Sequence, residues 1–428
     1  MDHRETIQRS LDFIEANLKT DITAEELAQQ AGFSLFHYYR LFQSAAGMPV
    51  MQYILRRRLL HAIYDIRRGS SKIDAALAYG FDTYPGFYKA FQRELGCTPS
   101  EFLKHHRAKR PWSPNLFKEE HMTVTHKKAA EILKHWNLEA EPITDIYYDG
   151  GIRSENACYV GDGFVLKYTA NLGKLKNHAD LSKAIESIGL SAAVPVKTAD
   201  GREYVPDGEL FFYLTRRLSG SQMTAASLYE GGGAEKARFV GEIIGQLHLA
   251  LCRVDYPASD ADLYETVKTW ALPASQAAMD LPGSFCTEYL STLAGLYPSL
   301  PRQIIHRDPN PGNIILSGDK WGFLDFDLSE QNVRIYDPCY AATAVLSECF
   351  SEEKLPAWLG IYQNILLGYD SVVHLTEEER RAVPYILLAN QLVCVAWFAG
   401  QEKYAEVFET NKRMTRWLVD HFEELRID

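Results

Sequence analysis

The sequence predicts two domains, an all-α domain followed by a larger α+β domain. Three observations carry this. The chain has 428 residues, more than one ordinary domain holds. Its first hundred residues are helical in pattern throughout, and strand-like runs begin only near residue 140. The charge also divides: residues 1–110 hold 16 basic and 12 acidic residues, net +4, and the remainder is net −15. A basic head can approach a polyanion that an acidic body would repel. With 46% hydrophobic and 24% charged residues, the whole chain is expected to fold. It holds no run of 18 apolar residues, and its N-terminus has no signal-peptide pattern, so no membrane span is expected. Seven cysteines without a C-x-x-C pair point to reduced thiols, a cytoplasmic chain and no zinc site.

In the head, Ile7, Leu11, Ile14 and Leu18 form one stripe of a first helix. Thr23 is placed to cap the next helix, with Glu26 three residues on. LAQQAGF ends at Gly32, and Ser34 opens another helix through Phe42. That is helix, tight glycine turn, helix. KIDAALAYGFDTYPGFYKAF repeats the pattern, with Gly80-Phe81 for Gly32-Phe33 and Thr83 for Ser34. Between the two, PVMQYILRRRLLHAIYDIRRG reads as one long helix. Such a spacer suits two helices in successive major-groove segments, about 34 Å apart.

Residues 5–104 resemble the AraC/XylS family of DNA-binding domains, most specifically in GFDTYPGFYKAFQRELGCTPSEFLK. The resemblance implies a double helix-turn-helix domain, residues 1–107, that binds double-stranded promoter DNA. Tyr38, Leu41 and Phe42 are then the packed face of the first recognition helix, and Phe36, Tyr39 and Arg40 face the groove. Arg40 suits a guanine edge or a phosphate equally. In the second unit Phe87 and Phe91 pack, while Tyr84, Tyr88 and Lys89 face outward. Pro85 and Gly86 offer no side-chain donor, so this helix is expected to clamp phosphates rather than read bases. Arg56, Arg57, Arg58, Arg67 and Arg68 are either phosphate contacts or a solvated face.

Residues 108–123, with two prolines and a basic cluster, read as a linker. After a helix near 125–137, YYDGGIRSENACYVGDGFVLKY reads as a strand, a glycine hairpin and a second strand. Lys167 lies within the apolar run FVLKYT, where an ammonium needs an anion or a route to solvent. DLSKAIESIG and FVGEIIGQLHLAL read as helices. Then comes HRDPNPGN, His306 to Asn313, followed on a short strand by FLDFD with Asp325 and Asp327.

Phosphoryl transfer needs a carboxylate beside the attacking hydroxyl, and Asp308 fits. It needs oxygen ligands for a hard cation, and Asn313 and Asp325 fit; Asp327 suits a second metal contact or a loop cap. The H-x-D-x₄-N spacing followed by an Asp on the next strand is that of a kinase catalytic loop. Residues 125–428 resemble the aminoglycoside phosphotransferase family through GGIRSEN, VLK, GQLH, HRDPNPGN, LDFD and IYDPCYA with Asp337. This implies a two-lobed protein-kinase-like domain over 124–428, with an N-lobe near 140–217 and a C-lobe near 218–428. It implies ATP (or GTP) and Mg²⁺ as cofactors. It makes Asp308 catalytic, makes Asn313, Asp325 and Asp327 metal ligands, and sets Lys167, Ser154, Asn156 and Asp180 at the nucleotide. The sequence departs from the family at the helix after Lys167: a Glu is expected there, and His178 and Asp180 stand nearby.

Two readings of function follow. One is a transcription regulator whose effector domain is an active kinase of a small aminoglycoside- or amine-like alcohol. The other has the same DNA-binding head with a catalytically silent body, used as ligand sensor or dimerisation scaffold. Trp397 and Phe398 are expected to pack in the core.

Overall fold

The computed structural model describes residues 3–427, except 47, 96–97, 106–110, 112–115, 117–123, 125, 148–152, 209, 319 and 402–403. The chain forms two compact units, Met1–Ala170 with Val196–Thr215, and Asn171–Pro195 with Arg216–Asp428.

The first unit opens with helices α1 (His3–Ala16), α2 (Ala24–Gln30), α3 (Leu35–Ala46), α4 (Val50–Arg67), α5 (Lys72–Ala78), α6 (Tyr84–Leu95) and α7 (Pro99–His105). The Thr23 hydroxyl accepts from the Glu26 N–H and starts α2, and Ser71 does the same for α5. Both helices end alike. Gly32 and Gly80 take φ +71° and +80°, a conformation that favours glycine. The next N–H, of Phe33 or Phe81, then returns to the carbonyl of Ala28 or Ala76 at 3.0 and 3.1 Å. The sequence repeat is therefore a structural repeat of two helix-turn-helix units joined by α4. Leu11, Leu27, Tyr38, Phe42, Leu59, Phe87, Phe91 and Phe102 bury into one core. Leu116 of the linker joins it, and its N–H donates to Gln8 Oε1 at 2.7 Å.

The arginine run of α4 follows neither sequence reading. Arg57 is fixed on Glu15 by two bonds of 2.5 and 2.8 Å. Arg58 donates to the carbonyls of Leu18 and Thr20 at 3.0 and 2.6 Å. Arg56 pairs with Asp145 at 2.8 Å. All three are committed within the fold, to Glu15 of α1, to carbonyls of the turn between α1 and α2, and to Asp145 of β1. Arg67 and Arg68 stay exposed.

The same unit continues with α8 (His126–Leu133) and strands β1 (Ile143–Tyr147), β2 (Arg153–Val160) and β3 (Phe164–Thr169). The β1–β2 pair is antiparallel, with a register shift between Asp145 and Tyr147. The chain then runs through α9 (Leu172–Ser187) and β4 (Ser191–Ala192), which belong to the second unit. It comes back in β5 (Pro195–Val196), β6 (Val205–Asp207) and β7 (Leu210–Arg216). The sheet order is β1-β2-β3-β7-β5, with β6 on β7. Its apolar face packs Leu133, Trp136, Val160, Leu166, Phe212 and Leu214.

The second unit holds β8 (Ser221–Gln222), α10 (Gly233–Leu251), α11 (Leu263–Thr266), α12 (Leu272–Ala278) and α13 (Gly283–Leu296). Next come β9 (Arg302–Ile305), β10 (Ile314–Ser317), β11 (Lys320–Phe323) and β12 (Glu330–Val333). Helices α14 (Tyr336–Cys349), α15 (Leu355–Val372), α16 (Glu377–Phe398) and α17 (Ala405–Asp420) complete it. β10 and β11 form the centre of a sheet ordered β4-β11-β10-β8, and β9 pairs with β12. α10 and α15 touch backbone to backbone: a Cβ on Gly241 would stand 1.9 Å from the Ile365 carbonyl oxygen. α16 is long and apolar enough to cross a membrane by composition, but 67% of that stretch is buried here as a core helix. Its Thr376–Glu379 capping box sets its start.

Candidate active site and DNA-contacting helices

The loop after β9 carries His306, Arg307 and Asp308, and it is built on Asp337. The Asp337 carboxylate accepts the backbone N–H groups of His306 and Arg307 at 2.8 and 2.9 Å. Fully buried His248 of α10 holds that carboxylate at 2.9 Å through Nε2, and its Nδ1 meets the Tyr369 hydroxyl at 2.8 Å. With three donors on this buried carboxylate, two otherwise orphan N–H groups of the loop are fixed in place. Arg307 takes φ +76°, and its guanidinium pairs with Glu330 and with the Tyr336 hydroxyl. His306 donates Nε2–H to the Leu324 carbonyl at 2.7 Å, which ties the loop to the strand leading into Asp325.

Asp308 projects from this frame. Asn310 donates to its Oδ1 at 2.8 Å, and Asn313 donates to its carbonyl at 2.9 Å and its Oδ2 at 3.2 Å. Burial pushes the Asp308 carboxyl above its ordinary value; hydrogen bonds from Asn310 and Tyr340 and the nearby His306 oppose this, and Asp325 adds to it. A carboxylate raised this way is a better base than a solvated one.

Asp325 takes φ +64° at the end of the strand segment. One carboxylate oxygen each from Asp325 and Asp327 lies within 4.8 Å of the other and of a ring nitrogen of His178. Two carboxylates and an amide oxygen on adjacent loops make a donor set that fits a divalent cation. α9 grips this loop. Asn177 Nδ2 donates to the carbonyls of Phe326, Asp327 and Ser329 at 3.0, 3.3 and 2.8 Å. The second unit thus brings together Asp308, Asn313, Asp325 and Asp327. Asp180 is exposed on α9, with its carboxylate 3.5 Å from Lys183.

In the first unit, Lys167 is half-buried on β3, opposite Ala157 of β2. Ser154 is buried and donates to the Asn156 side chain at 3.2 Å, while Asn156 is exposed. The glycine hairpin at 148–152 falls outside the described residues.

On α3, Tyr38 and Phe42 are fully buried and Phe36 is 74% exposed. Arg40 is exposed beside it, and Tyr39 is half-buried. On α6, Phe87 and Phe91 are buried, Lys89 is exposed, and Tyr84 and Tyr88 are half-buried with their rings in contact. Phe36, Arg40 and Lys89 thus lie outward as expected, while Tyr39 and Tyr84, expected outward, pack partly against the core because aromatic rings at the edge of each helix reach it. Trp397 corrects an expectation: it is 50% exposed in the last turn of α16, where its ring packs on Phe398 and Tyr404 rather than into the core.

Sequence reasoning did not single out Asn177, Asn310 or Tyr340 as site residues, and it gave His248 no role. Asn310 stands inside HRDPNPGN and Tyr340 inside IYDPCYA, so proximity to those motifs was the signal. Asn177 had none, since its targets are backbone carbonyls far along the chain.

Residues 159–375 match the model of the phosphotransferase enzyme family, and residues 27–105 match a helix-turn-helix domain model. The HTH-type transcriptional activator AarP of Providencia stuartii is 37% identical over 95 residues, 22% of this chain and 70% of AarP. Among solved structures, an amicoumacin kinase bound to AMP-PNP, Ca²⁺ and Ami superposes with TM-score 0.50 at 16% identity, over 68% of this chain and 92% of that one. A microcompartment-associated aminopropanol kinase gives TM-score 0.52 at 15% identity, over 70% and 99%. At these identities the two structures share a fold with this chain.

Proposed function

We propose that this chain, which belongs to the phosphotransferase enzyme family and carries an AraC-type helix-turn-helix domain, is a transcription regulator whose effector domain transfers the γ-phosphate of a nucleoside triphosphate to a small-molecule hydroxyl. The observation that carries the catalytic half is the Asp308–Asn313 contact on a loop that Asp337 fixes through two backbone bonds. A scaffold has no use for a buried base with raised basicity beside a second carboxylate.

Asp308 orients the substrate hydroxyl and takes its proton as the new oxygen–phosphorus bond forms and the bond to the β-phosphate oxygen breaks. Asn313, Asp325 and Asp327 would hold a divalent cation, which would supply positive charge against the phosphate oxygens. Lys167, Ser154, Asn156 and Asp180 are the proposed nucleotide contacts, on the motifs that resemble the family's. The substrate class is an amine-bearing alcohol. The net charge of −15 beyond residue 110 favours a cation, and the two structural neighbours are named for amicoumacin and aminopropanol. α3 and α6 are proposed to engage promoter DNA through Phe36, Tyr39, Arg40, Tyr84, Tyr88 and Lys89, and a promoter-binding role is one for the cytoplasm.

The test is phosphate transfer from radiolabelled ATP to a panel of amino alcohols and aminoglycosides by the full chain. Transfer that disappears in Asp308→Ala supports the reading. Transfer at the same rate in that variant sinks the assignment. The silent-sensor reading has one observation in its favour, His178 on the helix where a glutamate was expected. It prevails if nucleotide binds and no acceptor in the panel is phosphorylated.

A further inference from the structure

We infer that His178 is a ligand of the divalent metal, through Nδ1, so that the centre is a mixed nitrogen–oxygen site that prefers Mn²⁺ to Mg²⁺. This rests on the reading of Asp325 and Asp327 as metal ligands and adds to it a residue and a metal preference.

Three features of His178 carry the inference. It is fully buried on α9, on the turn that faces the loop carrying Asp325 and Asp327. Its Nε2 lies 3.0 Å from the Ala193 carbonyl, which can only accept, so Nε2 bears the hydrogen and Nδ1 presents its lone pair. A ring N–H given to a backbone carbonyl is the usual support of a metal-bound histidine, since it sets the tautomer and the ring plane. Finally, a ring nitrogen of His178 and the two carboxylates converge within 4.8 Å. Ligands at about 2.0–2.2 Å from one ion stand up to roughly 4.4 Å apart, so small shifts close the set.

Nδ1 also receives the Phe326 N–H, at 3.3 Å, a long contact that an ion would displace at little cost. The loop that carries the carboxylates does not depend on that bond. Asn177, the preceding residue, clamps it through the carbonyls of Phe326, Asp327 and Ser329. One turn of α9 thus provides a clamp and a nitrogen donor side by side.

The consequence for metal choice is chemical. Mg²⁺ wants a shell of oxygens and gains little from imidazole. First-row transition ions accept imidazole and carboxylate together, and Mn²⁺ is the one among them that still favours hard oxygens. Replacing one oxygen position by Nδ1 therefore moves preference from Mg²⁺ toward Mn²⁺.

The experiment uses the full chain with Mn²⁺ alone as probe. Calorimetry measures Mn²⁺ and Mg²⁺ affinity, and pulsed electron paramagnetic resonance reads the ¹⁴N modulation of an imidazole bound to Mn²⁺. We expect the modulation in the wild type. It should vanish in His178→Gln, with Mn²⁺ affinity falling roughly tenfold and Mg²⁺ affinity much less. Because the chain has 13 histidines, Asp325→Asn is the control and should also abolish the signal. Mn²⁺ bound without ¹⁴N modulation overturns the inference and leaves the carboxylate site standing. So does modulation that survives in either variant. Failure of the wild type to bind Mn²⁺ overturns the underlying metal site as well. If His178→Gln does not fold, absence of modulation in the Mn²⁺-bound wild type still overturns the inference.

Discussion

Arg56 of α4 and Asp145 of β1 form an ion pair of 2.8 Å in which the side chains are only 11% and 9% exposed. His126 of α8 meets the other oxygen of the same carboxylate at 2.9 Å. The long helix of the DNA-binding head is thereby fastened to the first strand of the kinase-like fold, within one compact unit. The fastening point lies at the register shift of β1.

Removing one partner should be costly. Asp145→Asn leaves the Arg56 guanidinium buried without its counter-charge, and urea unfolding of the unit should shift by roughly 3–5 kcal/mol. Arg56→Met combined with Asp145→Leu should recover most of that loss, since two apolar side chains fill the space without a stranded charge. Equal loss in the single and double variants would show that the pair itself is not the fastening.

The arginine run also predicts a salt dependence. Lys89→Ala should lower the slope of log K for promoter DNA against log salt by about 0.9, one phosphate contact. The Arg56→Met, Asp145→Leu double variant should leave the slope unchanged, because Arg56 is already paired inside the protein. Arg40→Ala distinguishes its two candidate roles: a relaxed preference at one base pair marks a base contact, and a uniform loss marks a phosphate contact.

Asp308 gives a prediction of opposite sign for activity and stability. Its folded-state carboxyl is raised by burial, so it is more easily protonated than in the unfolded chain. Its protonated form favours folding, and that contribution is present below the unfolded value and lost as pH rises through the folded one. Asp308→Asn should therefore abolish transfer while raising the melting temperature at neutral pH. The gain should disappear in acid. A variant less stable than wild type at pH 7 would contradict this.

The close approach of α10 and α15 predicts that Gly241→Ala destabilises the second unit, because the added methyl meets the Ile365 carbonyl of a packed helix rather than a movable side chain. The measurement is a thermal melt. Gly283, with open space at its Cβ, is the matching control and should tolerate alanine.

What was legible in the sequence is what local physics sets. The helix-turn-helix repeat could be read because Gly32 and Gly80 each mark a left-handed turn after an amphipathic helix. The packed faces Tyr38/Phe42 and Phe87/Phe91 follow from helical spacing. The catalytic loop could be read because Asp308, Asn313 and Asp325 lie close in the chain. Contacts over long separations could not be read. Arg56 meets Asp145 across 89 positions and Asn177 meets Ser329 across 152, and nothing in either neighbourhood marks the partner. The basic run of α4 misled for the same reason: charge density shows on the sequence, while the acceptors that absorb it belong to distant segments.

The measurement that tests the central claim most directly is calorimetric titration of the full chain with ATP, in Mg²⁺ and in Mn²⁺, beside Asp325→Asn. It requires no knowledge of the phosphate acceptor. The account predicts saturable binding that needs the metal and is lost in the variant. No binding at millimolar nucleotide with either metal would contradict it, and the body of this regulator would then respond to something other than a nucleotide.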